Sequence, residues 1–217
     1  MNIIDTRTNI NLGDDQNSSI KNIPLFHISG IEYLLQSRDY TDIIFQSIPS
    51  VKFFQENEFL ENKNIYSMGS STKKFLAQKG INSICPKVPG SEGLCELLCK
   101  NKNNGKYLIV KGKDGLNDVF NYLKENGEDV QEVVCYTRFK LDSYETIRKD
   151  FFEADAIIFA STYAVEIFFN KVYSNNVKAR FFGISKRIIG YISDLGYEAE
   201  FIDYFSDDIA KEIKNSI

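Results

Sequence analysis

Apolar and polar positions repeat along this chain with a long period. Ile43-Ile44-Phe45-Gln46-Ser47-Ile48-Pro49-Ser50-Val51 returns 114 residues later as Ile157-Ile158-Phe159-Ala160-Ser161-Thr162-Tyr163-Ala164-Val165. Each copy is a short apolar run, a small polar turn at a serine, and then a segment with bulky apolar residues: Phe53 and Phe54 in the first, Ile167, Phe168 and Phe169 in the second. A short unbroken apolar run reads as a strand covered on both faces. A serine just ahead of periodic apolar positions marks a helix start. Second strands follow at Asn64–Gly69 and Ala179–Ser185, and each leads into a helix that stops at a glycine, Gly80 and Gly196. Solenoid repeats run ~20–50 residues, so this period means two similar α/β domains. A cleft between two such domains is where a ligand is expected.

The remaining segments fill out the same alternation. Ile3–Thr6 reads as a strand, and the stretch from Thr8 to Asn22 is polar, with Gly13, Asp14, Asp15, Ser18 and Ser19. Asn22–Ile28 reads as extended, since Pro24 biases its predecessor to β. Ile31–Ser37 suits a turn or two of helix, Ile81–Cys85 a strand, and Ser91 the cap of a helix running through Cys99. Tyr107–Val110 reads as a strand, Leu116–Asn126 as a helix closed by Gly127, Val130–Arg138 as extended and Asp142–Asp150 as helical. The chain ends on a strand at Glu198–Ile202 and a helix at Asp207–Asn215 capped by Ser206. Strands alternating with helices over short loops predict parallel sheets with helices on both faces. The second copy is short of strands, so its sheet needs Ile3–Thr6 and Leu25–Ile28. That gives a continuous α/β domain over residues 32–136 and a discontinuous one over residues 1–31 plus 137–217, with crossings near His27–Ile31 and Cys135–Lys140.

Composition narrows the functional classes. The 217 residues are 43% hydrophobic and 26% charged, near globular averages. A net charge of −4 and a pI near 5.2 argue against a nucleic-acid partner and leave room for a locally positive site that takes an anionic small molecule. No run approaches the ~20 apolar residues of a membrane span. Met1-Asn2-Ile3-Ile4-Asp5 enters a strand directly instead of forming a basic and then apolar leader; the expectation is a cytoplasmic protein. Of the four cysteines, Cys85, Cys95, Cys99 and Cys135, none forms a Cys-x-x-Cys pair. Cys95 and Cys99, four apart on a helix, could share a metal, but buried reduced thiols are the simpler reading. The single histidine, His27, excludes a histidine metal cluster and sits near no nucleophile turn. No glycine-rich dinucleotide or phosphate loop is present, and Gly112-Lys113-Asp114-Gly115 does not make one.

The ordered set of short motifs resembles the uroporphyrinogen-III synthase family. The pieces are Asp5-Thr6-Arg7; Asp42-Ile43-Ile44-Phe45-Gln46-Ser47 with Val51 and Phe54; Gly69-Ser70-Ser71-Thr72 with Gly80; Ser91-Glu92-Gly93-Leu94; Lys111-Gly112; Gly127; Cys135-Tyr136; Asp155-Ala156-Ile157-Ile158-Phe159-Ala160-Ser161 with Val165; and Gly196-Tyr197. Each piece alone is weak; their order and spacing carry the resemblance. It implies two flavodoxin-like parallel-sheet domains joined by a two-stranded β-ladder, with the active-site cleft between them. It implies cyclisation of the linear tetrapyrrole hydroxymethylbilane to uroporphyrinogen III, with loss of water and inversion of ring D, on the route to haem. No cofactor or metal is implied. The partners implied are the substrate and a transient contact with hydroxymethylbilane synthase; a monomer is the default, since no apolar patch is legible. Lys111 stands where family members often carry Arg, and Leu116 where an Arg is common. In the second repeat either Ser185 or Gly183 aligns with Gly69, so Ile188 or Lys186 replaces Thr72, and the hydroxyl is lost either way. The segment between Arg7 and Pro24 is shorter than usual.

The chemistry implied is control of shape more than bond-breaking power. The substrate carries eight carboxylates, loses its hydroxymethyl oxygen readily to give an azafulvene, and closes to the wrong isomer unaided, so the protein must hold it bent. Ser47, Ser70, Ser71, Thr72 and Ser161 fall at strand-to-helix turns, where free N–H groups and partial positive charge suit carboxylates; helix capping is the other use of the same serines. Tyr136 is the expected proton donor to the departing hydroxyl; otherwise it is an ordinary aromatic of the ladder. Arg7, Lys111, Lys113, Lys186 and Arg187 are candidates for carboxylate pairing, Arg7 first because it follows the first strand directly, and the Gly112 backbone is a further substrate contact. The alternative function is a non-catalytic, hinged two-domain binding protein for an anionic metabolite.

Overall fold

The computed structural model describes residues 1–8, 20–100, 105–203, 206 and 208–216; the polar stretch read between Thr8 and Asn22 lies outside it at 9–19. The strands are β1 (Ile3–Asp5), β2 (Ile20–Asn22), β3 (Phe26–Gly30), β4 (Asp42–Phe45), β5 (Asn64–Ser67), β6 (Lys106–Gly112), β7 (Asp129–Lys140), β8 (Ala156–Phe159), β9 (Arg180–Gly183) and β10 (Ala199–Phe201). The helices are α1 (Ile48–Phe53), α2 (Ser70–Gln78), α3 (Ser91–Lys100), α4 (Asp118–Glu125), α5 (Glu145–Phe152), α6 (Thr162–Ile167), α7 (Lys186–Asp194) and α8 (Ile209–Ser216). The chain divides into two units, Ile28–Arg138 and Met1–His27 with Phe139–Ile217. Among the described residues no helix is long and apolar enough to cross a membrane.

In the Ile28–Arg138 unit the sheet order is β3-β7-β6-β4-β5, with β5, β4, β6 and β7 parallel. The unbroken apolar runs exist because both faces are covered. Ile43, Phe45, Leu108, Val110 and Val133 lie in one core cluster with Val51 and Phe54 beside α1 and Leu76 of α2. Ile44, Tyr107, Ile109 and Val130 lie in the other, with Leu94 and Leu98 of α3 and Val119 and Leu123 of α4. Helices α2, α3 and α4 each bury residues four apart, the spacing of one helical face. Helices α2, α4 and α7 end alike. Gly80, Gly127 and Gly196 take positive φ (77°, 77° and 85°), and the next N–H reaches back to Leu76, Leu123 and Ile192. This is the left-handed terminator that a glycine allows at no steric cost.

The other unit is a parallel sheet of order β10-β9-β8-β1-β2. In chain order that is 2-1-3-4-5, the flavodoxin-like winding. Ile3, Ala156, Ile158 and Phe182 pack with Ile209, Ala210 and Ile213 of α8. The repeat is visible strand by strand. Ile43 pairs with Ile65 as Ile157 pairs with Phe181, and β4 flanks β6 as β8 flanks β1. So β1 and β2, from the start of the chain, occupy the places that β6 and β7 hold in the other unit.

Several sequence expectations change. Leu25–Ile28 does not complete the sheet of β8: β2 does, with Ile20 beside Ile3 and Asn22 beside Asp5. Phe26–Gly30 instead becomes β3, next to β7. Pro24, which has no N–H to give a ladder, separates the two strands. Ile31–Ser37 forms no helix; Tyr33 stacks on Phe54 there, and its hydroxyl accepts the Gln55 N–H. Ile81–Cys85 is reduced to one bridge, Tyr66 with Ile84. Ser91 is the first residue of α3 instead of its cap, and its Oγ is buried without a partner among the described residues. The last helix is capped by Asp208, whose carboxylate accepts the Lys211 N–H at 2.9 Å, in place of Ser206.

Candidate functional site

In open α/β sheets ligands bind outside the carboxyl ends of the strands, where neighbouring strands send their helices to opposite faces. In the Ile28–Arg138 unit that point lies between β4 and β6, because α1 packs on one core cluster and α4 on the other. Ser47 follows β4, Gly112 ends β6, and Tyr136 lies beside Gly112 on β7.

Ser47 is built into the start of α1. Its Oγ accepts the Ser50 N–H at 3.2 Å, the Ser50 Oγ accepts the Ser47 N–H at 3.1 Å, and Pro49 falls in the first turn. The sequence signal for this reciprocal cap was present: Ser-x-x-Ser with a proline inside. Ser47 Oγ also lies 3.0 Å from Tyr136 Oη. Tyr136 is 4% exposed, tilted against Phe53 with ring centroids 6.2 Å apart, and its carbonyl accepts the Lys113 N–H at 2.9 Å. A β-bulge aims it: Lys111 pairs with Val134 but Gly112 with Tyr136, so Cys135 is the extra residue. Cys135 is fully buried, and burial pushes its thiol up to about 12.

Ser70, Ser71 and Thr72 form the first turn of α2 behind Gly69, which offers no side-chain cap. Ser70 is exposed, Ser71 half-buried, and Thr72 turns inward with Leu76. Lys111 is placed differently from its expected role. It is 3% exposed, and its ammonium donates to Glu132 at 2.8 Å and to the Asn117 side chain and Leu116 carbonyl. Its charge is spent inside the unit; Asn117 and Glu132, which hold it, carry no signal in the sequence beyond their polarity. Lys113 is exposed, as is Leu116.

In the other unit Ser161 caps α6, accepting the Ala164 N–H at 3.1 Å. Arg7 follows β1, with its Nε 3.9 Å from the carboxylate of the fully buried Asp5. Ser185 caps α7, and the exposed Lys186 and Arg187 open that helix.

A family model described as uroporphyrinogen-III synthase HemD matches residues 22–203. The chain belongs to the uroporphyrinogen-III synthase family. The hinged, non-catalytic binding protein is set aside by that membership. No curated protein matches the chain. Among solved structures, the uroporphyrinogen-III synthetase of Helicobacter pylori is 16% identical, with a TM-score of 0.70 over 99% of this chain and 98% of that one. A mutant uroporphyrinogen III synthase of the extremely thermophilic bacterium Thermus thermophilus is 11% identical, with a TM-score of 0.64 over 100% and 98%. At these identities the likeness is one of fold, two α/β domains with parallel sheets.

Against the family pattern, the register of the second repeat resolves to one alignment. Phe45 pairs with Ser67 and Phe159 with Gly183, so Ser185 matches Gly69 and the buried Ile188 stands in place of Thr72. Of these two corresponding helices of the uroporphyrinogen-III synthase fold, α2 thus starts without a side-chain cap and α7 is capped by a serine.

Proposed function

We propose that this chain cyclises hydroxymethylbilane to uroporphyrinogen III, with loss of water and inversion of ring D, and that Tyr136 is the proton donor. The observation that supports the donor is the phenol itself: clamped, buried, and 3.0 Å from a serine hydroxyl at the carboxyl ends of β4 and β6. A positioned phenol protonates the hydroxymethyl oxygen as its bond to carbon breaks. The pyrrole nitrogen lone pair fills the electron gap, and water leaves with the proton. The proton released as the macrocycle closes returns to the phenolate, so no net acid is consumed; overall the reaction is that of a lyase.

Carboxylate recognition falls to the strand-to-helix turns. The first turn of α2 has no side-chain cap, so its amides and the hydroxyls of Ser70 and Ser71 suit a substrate carboxylate. Within the other unit, taken by itself, Ser161, Arg7, Lys186 and the exposed Arg187 are carboxylate-binding candidates of the same kind. Lys111 is left out of this set because Glu132 already holds it.

A coupled assay tests the reading. Porphobilinogen and hydroxymethylbilane synthase supply the substrate, and the oxidised products are separated by isomer. Isomer III is expected in excess with this chain present; isomer I alone, from folded protein, would overturn the assignment. Tyr136→Phe is expected to lower turnover by about 10²-fold with the fold intact.

A further inference from the structure

Either hydroxyl of the Ser47–Tyr136 pair could donate by geometry alone, and the hydrogen bonds around Ser47 favour one sense. Ser47 Oγ already accepts the Ser50 N–H. Ser50 cannot take the Ser47 proton, because its own hydroxyl donates to the Ser47 carbonyl at 2.6 Å and accepts the Ser47 N–H. Among the described residues, the acceptor left for the Ser47 proton is Tyr136 Oη, 3.0 Å away. In the opposite sense the Ser47 oxygen would use both of its acceptor sites, and its proton would have no acceptor among the described residues.

Resting on Tyr136 as the donor, we infer that Ser47 is a positioning residue: it donates its hydroxyl proton to Tyr136 Oη, so the phenolic proton is left for the substrate. The same bond then faces the phenolate formed when the carbon–oxygen bond breaks and water leaves. A hydrogen bond to a charged acceptor is about twice as strong as one to a neutral acceptor, so it strengthens as charge develops. Packing sets the ring on the α1 side. Strict alternation along β7 would set Tyr136 on the face opposite Val133 and Cys135, yet all three lie in the one core cluster with Val51. The bulge at Cys135 brings the phenol to the α1 side, where Ser47 is; the Cys135 thiol lies 3.6 Å from the Ser50 carbonyl of α1 and 3.7 Å from that of Lys111.

The experiment separates capping from positioning. Aspartate caps a helix as well as serine does, but its carboxylate can only accept, so S47D turns the hydrogen bond around and engages the phenolic O–H as donor. Threonine keeps both the cap and the donor. S47D is expected to lower kcat at least about 10-fold, with a wild-type urea midpoint. S47T should retain most of the turnover. Wild-type kcat in S47D, or an equal loss in S47T, would overturn the inference. Y136F distinguishes the levels. A slow Y136F with a normal S47D removes only Ser47; a normal Y136F with isomer III still formed removes the Tyr136 reading itself.

Discussion

Gly112 and Tyr136 share space that only one of them can fill. A Cβ on residue 112 would stand 2.5 Å from Tyr136 Cε2 and 2.8 Å from its Oη. The phenol lies where that side chain would be, and the glycine is therefore part of the ring's socket. Gly112→Ala is expected to push the ring off Ser47 and lower turnover by about 10²-fold, the scale of a misplaced reacting group. Far-ultraviolet circular dichroism should be unchanged. An alanine variant with wild-type kcat would show that the ring is free to relocate without loss.

The Lys111–Glu132 pair should respond unequally to removal of its two members. Lys111 has a side chain 4% exposed against 25% for Glu132. Glu132→Gln leaves a buried ammonium with only neutral partners and is expected to cost about 3 kcal/mol. Lys111→Met leaves a carboxylate that water can reach, and should cost less. Urea midpoints of the two variants check the order; a larger loss for Lys111→Met would contradict it.

Gly80 and Gly196 hold corresponding left-handed turns in the two repeats. Alanine at either is expected to destabilise the protein by about 1–2 kcal/mol, with an open space around the added methyl and so no further clash. Because the turns correspond, the two losses should be similar. A loss from one variant alone would show that its partner helix ends differently in solution.

Stability should fall in alkali. Burial raises the Cys135 thiol from 9.0 to about 12 and Tyr66 from 10.0 to about 12, the latter also through Asp42; Tyr107 is raised in the same direction. With folded values above unfolded ones, the native state keeps protons that the unfolded chain releases. Stability is therefore full below pH 9 and declines as pH rises through 9 to 12. Urea midpoints measured from about pH 7 to 11 should drop, and Cys135→Ala should flatten the lower part of that drop. A flat wild-type profile would mean these groups ionise with the fold intact.

How much was legible in the sequence depended on how local each feature is. The paired strand–serine–helix units, the glycine terminators, the alternation that makes parallel sheets and the order of family motifs are carried by neighbouring residues, so the chain by itself determined them. Periodicity reports which faces are covered and says nothing of which strand lies alongside. Only the tertiary structure could decide that Ile20–Asn22, and not Leu25–Ile28, completes the sheet of β1, because that choice rests on pairing with residues far along the chain. The bulge that turns Tyr136 toward Ser47 is likewise a mismatch between two strands, invisible in either alone. In the sequence Lys111 is a candidate for pairing a substrate carboxylate; adjacent parallel strands bring Glu132, twenty-one positions away, beside it. Local chemistry chose the elements; long-range pairing in the two sheets chose which side chains meet.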